Sequence, residues 1–296
     1  MKQAWNIIWK LALAMGAVGT VLTLVGLKIG WPQPVAWGPH GPQVVDVRDV
    51  TVSEDQLAPF DKIAVDVAIL DVKVVQGDHY GLRIHAPSTY LDITWTDENG
   101  TLTITQKNSP VIMGFGFGGS WTAVVTVPSS ATLTSVDITD SAGDITLAAP
   151  ATTVALSTSV GDVRLAAPAG KATVRTQAGN TRVEADVKDL VATSSTGDVV
   201  VRGNSGSVRA ETSSGNVTVQ GSATAVDATT STGDVTVTLT APWAATTYKV
   251  RTSLGDVRFA GPGAPPSDDR STQVASPELT LTATTSAGNI RVTLGA

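Results

Sequence analysis

The sequence predicts an all-β protein, a parallel β-solenoid of 18-residue coils preceded by one N-terminal transmembrane helix. Three observations carry that expectation. A Gly-Asx pair recurs eight times between residues 143 and 289, with five successive steps of 18 residues. Apolar residues alternate on both sides of each pair. A long uncharged run, residues 11–27, stands at the other end of the chain.

The pairs are Gly143-Asp144, Gly161-Asp162, Gly179-Asn180, Gly197-Asp198, Gly215-Asn216, Gly233-Asp234, Gly255-Asp256 and Gly288-Asn289. Their steps are 18, 18, 18, 18, 18, 22 and 33 residues, and a fixed short period marks a solenoid. Two and four residues after each glycine stand side chains such as Val199 and Val201; seven and five before it stand side chains such as Leu190 and Ala192. The residue between the later two is mostly polar, as in Thr146, Arg164, Arg182, Thr218, Thr236, Arg258 and Arg291. Period-2 alternation means strands with one buried face. Each coil therefore reads as strand, Gly-Asx turn, strand and loop, the loops holding Ala-Ala-Pro or Gly-Asn-Ser-Gly. One coil has no partner for its apolar face; neighbours stacked about 4.8 Å apart supply it, and eight coils would make a rod roughly 40 Å long. Every coil runs the same way round, so the pairing must be parallel and in register.

The glycine suits a sharp turn that needs positive φ, and the Asx side chain can bond its own turn backbone. Three residues before the glycine runs a hydroxyl column: Thr158, Thr176, Ser194, Thr212, Thr230, Thr252 and Thr285, with Asp140 in the first coil. Its expected task is to satisfy backbone groups where the chain bends.

Residues 1–10 carry Lys2 and Lys10 and no acid, which reads as a short cytoplasmic N-terminus. Residues 11–31 read as a transmembrane anchor, flanked by Trp5, Trp9, Trp31 and Trp37 in the manner of interfacial aromatic belts. The positive-inside rule then places the remainder outside, in a single-pass cell-membrane topology. A cleaved signal peptide is the competing reading, and it also exports the domain. Residues 32–43, rich in proline and glycine, form a stiff spacer. Residues 44–128 carry irregular β coils and an N-terminal cap, with short strands expected at 65–69, 72–75, 82–85, 91–95 and 102–105. Residues 129–296 are the regular solenoid.

Two stretches interrupt the pattern. Residues 111–121 combine Met113, Phe115, Phe117 and Trp121 with four glycines. They read as a glycine-loosened strand or a loop over the core; the functional alternative is an apolar contact loop for lipid, glycan or a partner. Residues 262–277 form a proline-rich polar loop, either a surface excursion or a fold-over at the end of the rod. The final coil, ending at Leu294, is expected to leave an open parallel edge suited to self-association.

Twenty basic residues against 26 acidic ones give a net charge of −6, which argues against nucleic acid as a partner. With no cysteine, disulfides and thiolate metal sites are excluded. The three histidines, His40, His79 and His85, are scattered, and no catalytic motif appears. A calcium column is the natural alternative for stacked aspartates, but each coil offers one Asx, and three of the eight are Asn. Ca²⁺ wants six to eight oxygens. The Gly-Asx column thus reads as a structural ladder without metal or cofactor, with Arg164, Arg182, Arg258 and Arg291 placed to pair with its aspartates.

The repeated Ser/Thr-x-Gly-Asp/Asn-Val-x-Val phrase, together with residues 65–72 and the Val124-Val125-Thr126-Val127-Pro128 run, resembles the bacterial putative-adhesin family of β-solenoid domains. The resemblance covers residues 44–296. It implies a membrane-anchored domain of unknown function, sometimes associated with cell-envelope stress systems, with no catalytic residues to carry over. The expected role is a non-enzymatic extracytoplasmic module, an adhesin or an envelope-associated binding or sensing domain, contacting a glycan or protein at the cell surface. The alternative is a carbohydrate-active enzyme on a parallel β-helix, which would need clustered acid and base groups on one face.

Overall fold

The computed structural model describes residues 35–38, 41–44, 47–52, 57–87, 92–107 and 121–295. The expected anchor at 11–31 and most of the 111–121 stretch lie outside them. Among the described residues no helix is long and apolar enough to cross a membrane; the sole helical turn is Trp243–Ala245. A small unit by itself contains the antiparallel ladder of Val35–Gly38 with Gly41–Val44. The main unit is all-β.

In the main unit the chain winds through stacked parallel strands. Ala151–Val160 pairs with Ala169–Ala178, and that with Val187–Thr196, so that Leu156, Val174 and Ala192 lie side by side. The short strands Ile145–Leu147, Val163–Leu165 and Thr181–Val183 pair in the same 18-residue register on the second sheet. One coil buries Val163, Leu165, Ala167, Ala169, Ala172, Val174 and Thr176. The inward period of two slips by one residue between Ala169 and Ala172, and slips again across Gly179-Asn180 to buried Thr181. Those slips are the corners. The Ala-Ala-Pro stretch expected to be a loop is part of the wall, since Ala149 and Ala167 are both buried.

Two further layers extend the stack. Lys62–Val67 pairs with Leu133–Ala142 on one side and Thr101–Lys107 on the other. Asp71–Gly77 likewise lies between Ile145–Leu147 and Thr122–Pro128. An antiparallel strand, Gly81–Pro87, covers the outer edge of Thr122–Pro128. Residues 62–77, 101–107 and 122–128 therefore supply the two layers at this end, and 81–85 their cover.

The other end departs from the expected chain order. Leu279–Ala287, from the last coil in the sequence, pairs with Ala225–Thr232 on one side and Thr246–Leu254 on the other. Ile290–Gly295 is similarly flanked by Val235–Thr240 and Val257–Ala260. The chain builds the outermost coil first, crosses 261–278, and then slots its last coil beneath it. The open edge expected at residues 279–295 does not exist, because that coil is hydrogen-bonded on both faces. Self-association through it has no free strand to use.

The true end layer replaces aliphatic inward residues with aromatic ones. Tyr248 stands in register with Leu281, and Phe259 with Val292. Trp243, Tyr248 and Phe259 contact one another with ring centroids 5.3–5.6 Å apart. Trp243 Nε1 donates to the Ala260 carbonyl at 3.1 Å. Burial, with help from Asp269, pushes the Tyr248 phenol up to about 12. The proline-rich loop folds over this end: Ser271–Thr272 pairs antiparallel with Tyr248 and Lys249, and the Val250 N–H donates to the Arg270 carbonyl. A strand edge that would otherwise be open is thus partly closed.

Candidate functional site

The Gly-Asx corner sets the outer surface. Gly197 sits at φ 133°, and a Cβ there would collide with the carbonyl of Gly179 in the neighbouring coil. Only glycine permits so close a stack. The hydroxyl column fulfils its expected task. Thr176, Ser194, Thr212 and Thr230 each donate at 2.9 Å to the glycine carbonyl of the coil beneath. Thr285 donates to Gly233 at 3.0 Å and Thr252 to Gly288 at 2.9 Å, following the spatial order rather than the sequence.

Asp140 breaks this column. Its carboxylate is buried, with 2 % exposed. Oδ1 accepts the Ala142 N–H at 3.2 Å, while Oδ2 has no partner. Burial raises it to about 6, against three backbone N–H groups that pull the other way, and Asp71 adds a smaller upward push. A threonine hydroxyl would have had the Leu70 carbonyl to donate to, because Leu70 occupies the glycine position of the coil below.

The Asx residues form a continuous ladder. Each Oδ1 accepts the backbone N–H of the next Asx: Asp144 from Asp162, Asp162 from Asn180, Asn180 from Asp198, Asp198 from Asn216 and Asn216 from Asp234, at 2.7–3.0 Å. Beyond Asp234 the ladder passes to Asn289 and only then to Asp256. In space Asp and Asn therefore alternate strictly from Asp162 to Asp256, which the sequence order Asp234, Asp256, Asn289 conceals. The alternation has an electrostatic reason. Asn180, Asn216 and Asn289 each donate Nδ2–H to the aspartate below at 3.1–3.4 Å, where a second carboxylate would repel it. The ladder also begins one coil earlier than the sequence suggested, at Asp71, whose Oδ1 accepts the Asp144 N–H at 3.1 Å. Its signal was the phrase Asp71-Val72-Lys73-Val74, hidden because Leu70 replaces the glycine.

The outward row of the short-strand sheet carries the arginines. They do not pair with the ladder as expected. Arg164 sends Nε and Nη2 to Glu184 Oε2 at 3.0 and 2.7 Å, while Arg182 and Arg202 approach its Oε1 at 3.8 and 3.6 Å. One carboxylate thus closes three arginines from successive coils. Toward the C-terminal end the row continues through Thr218 and Thr236 to Arg291 and Arg258. There it borders an open cleft of about 280 Å³ lined by Asp234, Thr236, Asp256, Arg258, Asn289 and Arg291. Among the described residues no group of three His, Cys, Asp or Glu side chains converges.

Of the candidate contact loop, Met113, Phe115 and Phe117 fall outside the described residues. Trp121 is half-buried, and its carbonyl accepts the Asp71 N–H at 2.8 Å.

Comparison with curated proteins returned no match. Among solved structures, a putative adhesin from Bacteroides fragilis is similar at 15 % identity over 83 % of this chain and 97 % of its own, with a TM-score of 0.49. A putative adhesin from Parabacteroides merdae is similar at 13 % identity over 84 % and 95 %, with a TM-score of 0.38. A putative lipid binding protein from Parabacteroides distasonis is similar at 11 % identity over 84 % and 96 %, with a TM-score of 0.32. The match to a family is more direct, because it runs over nearly the whole coil stack. The family model described as Toastrack DUF4097 matches residues 60–293, and this chain belongs to that family.

Proposed function

We propose that the protein is a non-enzymatic binding module, held outside the cell by its N-terminal segment and presenting the coil stack to a surface glycan or protein. The observation that supports this reading is the outward array itself. Each of the eight Gly-Asx coils sets one Asx, and all but the Val200 coil one Thr or Arg, in the same place, and successive coils repeat them about 4.8 Å apart. Such an array offers an extended ligand many equivalent polar contacts along one line. Oδ1 of Asp144, Asp162, Asp198 and Asp234 is committed to a backbone N–H of the neighbouring coil, which ties those carboxylates into the wall, whereas catalytic carboxylates need freedom to exchange protons with a substrate.

A glycan array probed with the purified full chain, followed by product analysis on every hit, tests the function. Binding without product formation supports it. Turnover of a bound polysaccharide would replace it with the enzyme reading. The topology is tested separately: protease added to intact cells should digest the coil stack and spare residues 1–10. A fully protected coil stack would refute export.

A further inference from the structure

The arginine row is closed at one place and open at another, and the contrast defines a site. Arg164 and Arg182 face each other across adjacent strands, and the Glu184 carboxylate neutralises that like-charged pair. Arg258 and Arg291 face each other in the same way. The positions corresponding to Glu184, two residues further along each strand, hold Ala260 and Thr293. No carboxylate therefore stands at the Glu184 position. Both guanidinium groups are exposed, and neither forms an ion pair among the described residues. Like charges directly opposite each other destabilise a sheet, and a planar guanidinium fork is built to receive a carboxylate.

We infer that the cleft around Arg258 and Arg291 binds the carboxylate of an acidic saccharide, which takes the place that Glu184 fills further down the row. This rests on the binding-module reading above and names its ligand class. The rest of the cleft selects the sugar. Asp234, Asp256, Asn289 and Thr236 line it beside the arginines. Asp256 is the last rung of the ladder in space, so no further coil's N–H claims its side chain. Two aspartates accept hydroxyl protons and repel extra negative charge. A uronic acid supplies one carboxylate and several hydroxyls per unit; a polyglutamate peptide or a phosphate dianion brings charge without hydroxyls.

Calorimetric titration of the purified full chain with an oligogalacturonate, and with the neutral galactose oligomer of equal length, tests the inference. The oligogalacturonate should bind at least tenfold more tightly, and its affinity should fall with added salt. The double variant R258Q/R291Q should lose at least tenfold, whereas R164Q/R182Q should retain full affinity. Circular dichroism melts of both variants check that the coils remain folded. Equal affinity in R258Q/R291Q would overturn the site, as would tighter binding of polyglutamate or inorganic phosphate than of the oligogalacturonate. Tight binding of neutral glycans alone would leave the binding-module reading standing and remove this one. Cleavage of the oligogalacturonate would remove the binding-module reading and this inference with it.

Discussion

Replacing Asp140 by threonine should stabilise the protein at neutral pH and do little in acid. In the folded chain the carboxyl is raised from 3.8 to about 6 by burial. A folded pKa above the unfolded one means that the folded state holds the proton more tightly, so stability is greatest below 3.8 and is lost as pH rises toward 6. A shift of about two units, at about 1.4 kcal/mol each, costs about 3 kcal/mol once the group is ionised. The Asp140→Thr change removes that cost and restores the hydroxyl found at the equivalent place in the other coils, with the Leu70 carbonyl as acceptor. The lost Oδ1 contact matters little, since the Ala142 N–H also donates to the Ala68 carbonyl at 2.8 Å. For a domain of this size about 3 kcal/mol is worth roughly 6–12 °C in Tm. Thermal melts of both proteins between pH 4 and pH 8 measure it. The gain should be full at pH 7.5 and fall to about 1 kcal/mol or less at pH 4. A gain independent of pH, or a loss at pH 7.5, would refute the account of Asp140.

Four further outcomes follow from the ladder and the ends. Asn180→Asp would set five carboxylates in a row, from Asp71 through Asp144, Asp162 and position 180 to Asp198, and should cost about 1–3 kcal/mol at low salt and less at high salt; chelator should leave the wild-type Tm unchanged, and a large fall restored by Ca²⁺ would make the ladder a metal site. Amide hydrogens of residues 281–285 and 290–292 should exchange as slowly as those of the central coils, because that coil is paired on both sides; exchange within the fastest class would mean that the last coil is an edge after all. Trp243→Ala removes the largest ring of the end cluster and should cost roughly 3–5 kcal/mol, read by denaturant unfolding, and a loss below 1 kcal/mol would show that the end layer is not packed around it.

Much of the coil was legible in advance. Alternation around each glycine named the inward residues of both strands, from Val163 and Leu165 to Ala172 and Val174, because side-chain period follows directly from extended backbone geometry. The hydroxyl column was legible for the same kind of reason: a buried Thr three residues before a tight turn has few places to send its proton. The arginine partners were not, because Glu184 reaches Arg164 across 20 residues and outward side chains obey no packing period. Nor were the inward Ala149 and Ala167, since Ala-Ala-Pro carries turn chemistry and wall packing in the same three letters.

What the sequence determined by itself, then, is the coil: its length, its inward face, its glycine corner and its need for parallel neighbours. What only the tertiary structure decided is which coil neighbours which. Any two coils that share an inward pattern and an 18-residue register can stack, so local pattern does not order them. The order was set at the ends, where Trp243, Tyr248 and Phe259 are too large for an interior layer and need a terminal one. It was set as well by the ladder, where Asn289 fits between Asp234 and Asp256 and relieves a carboxylate repulsion that chain order would have kept.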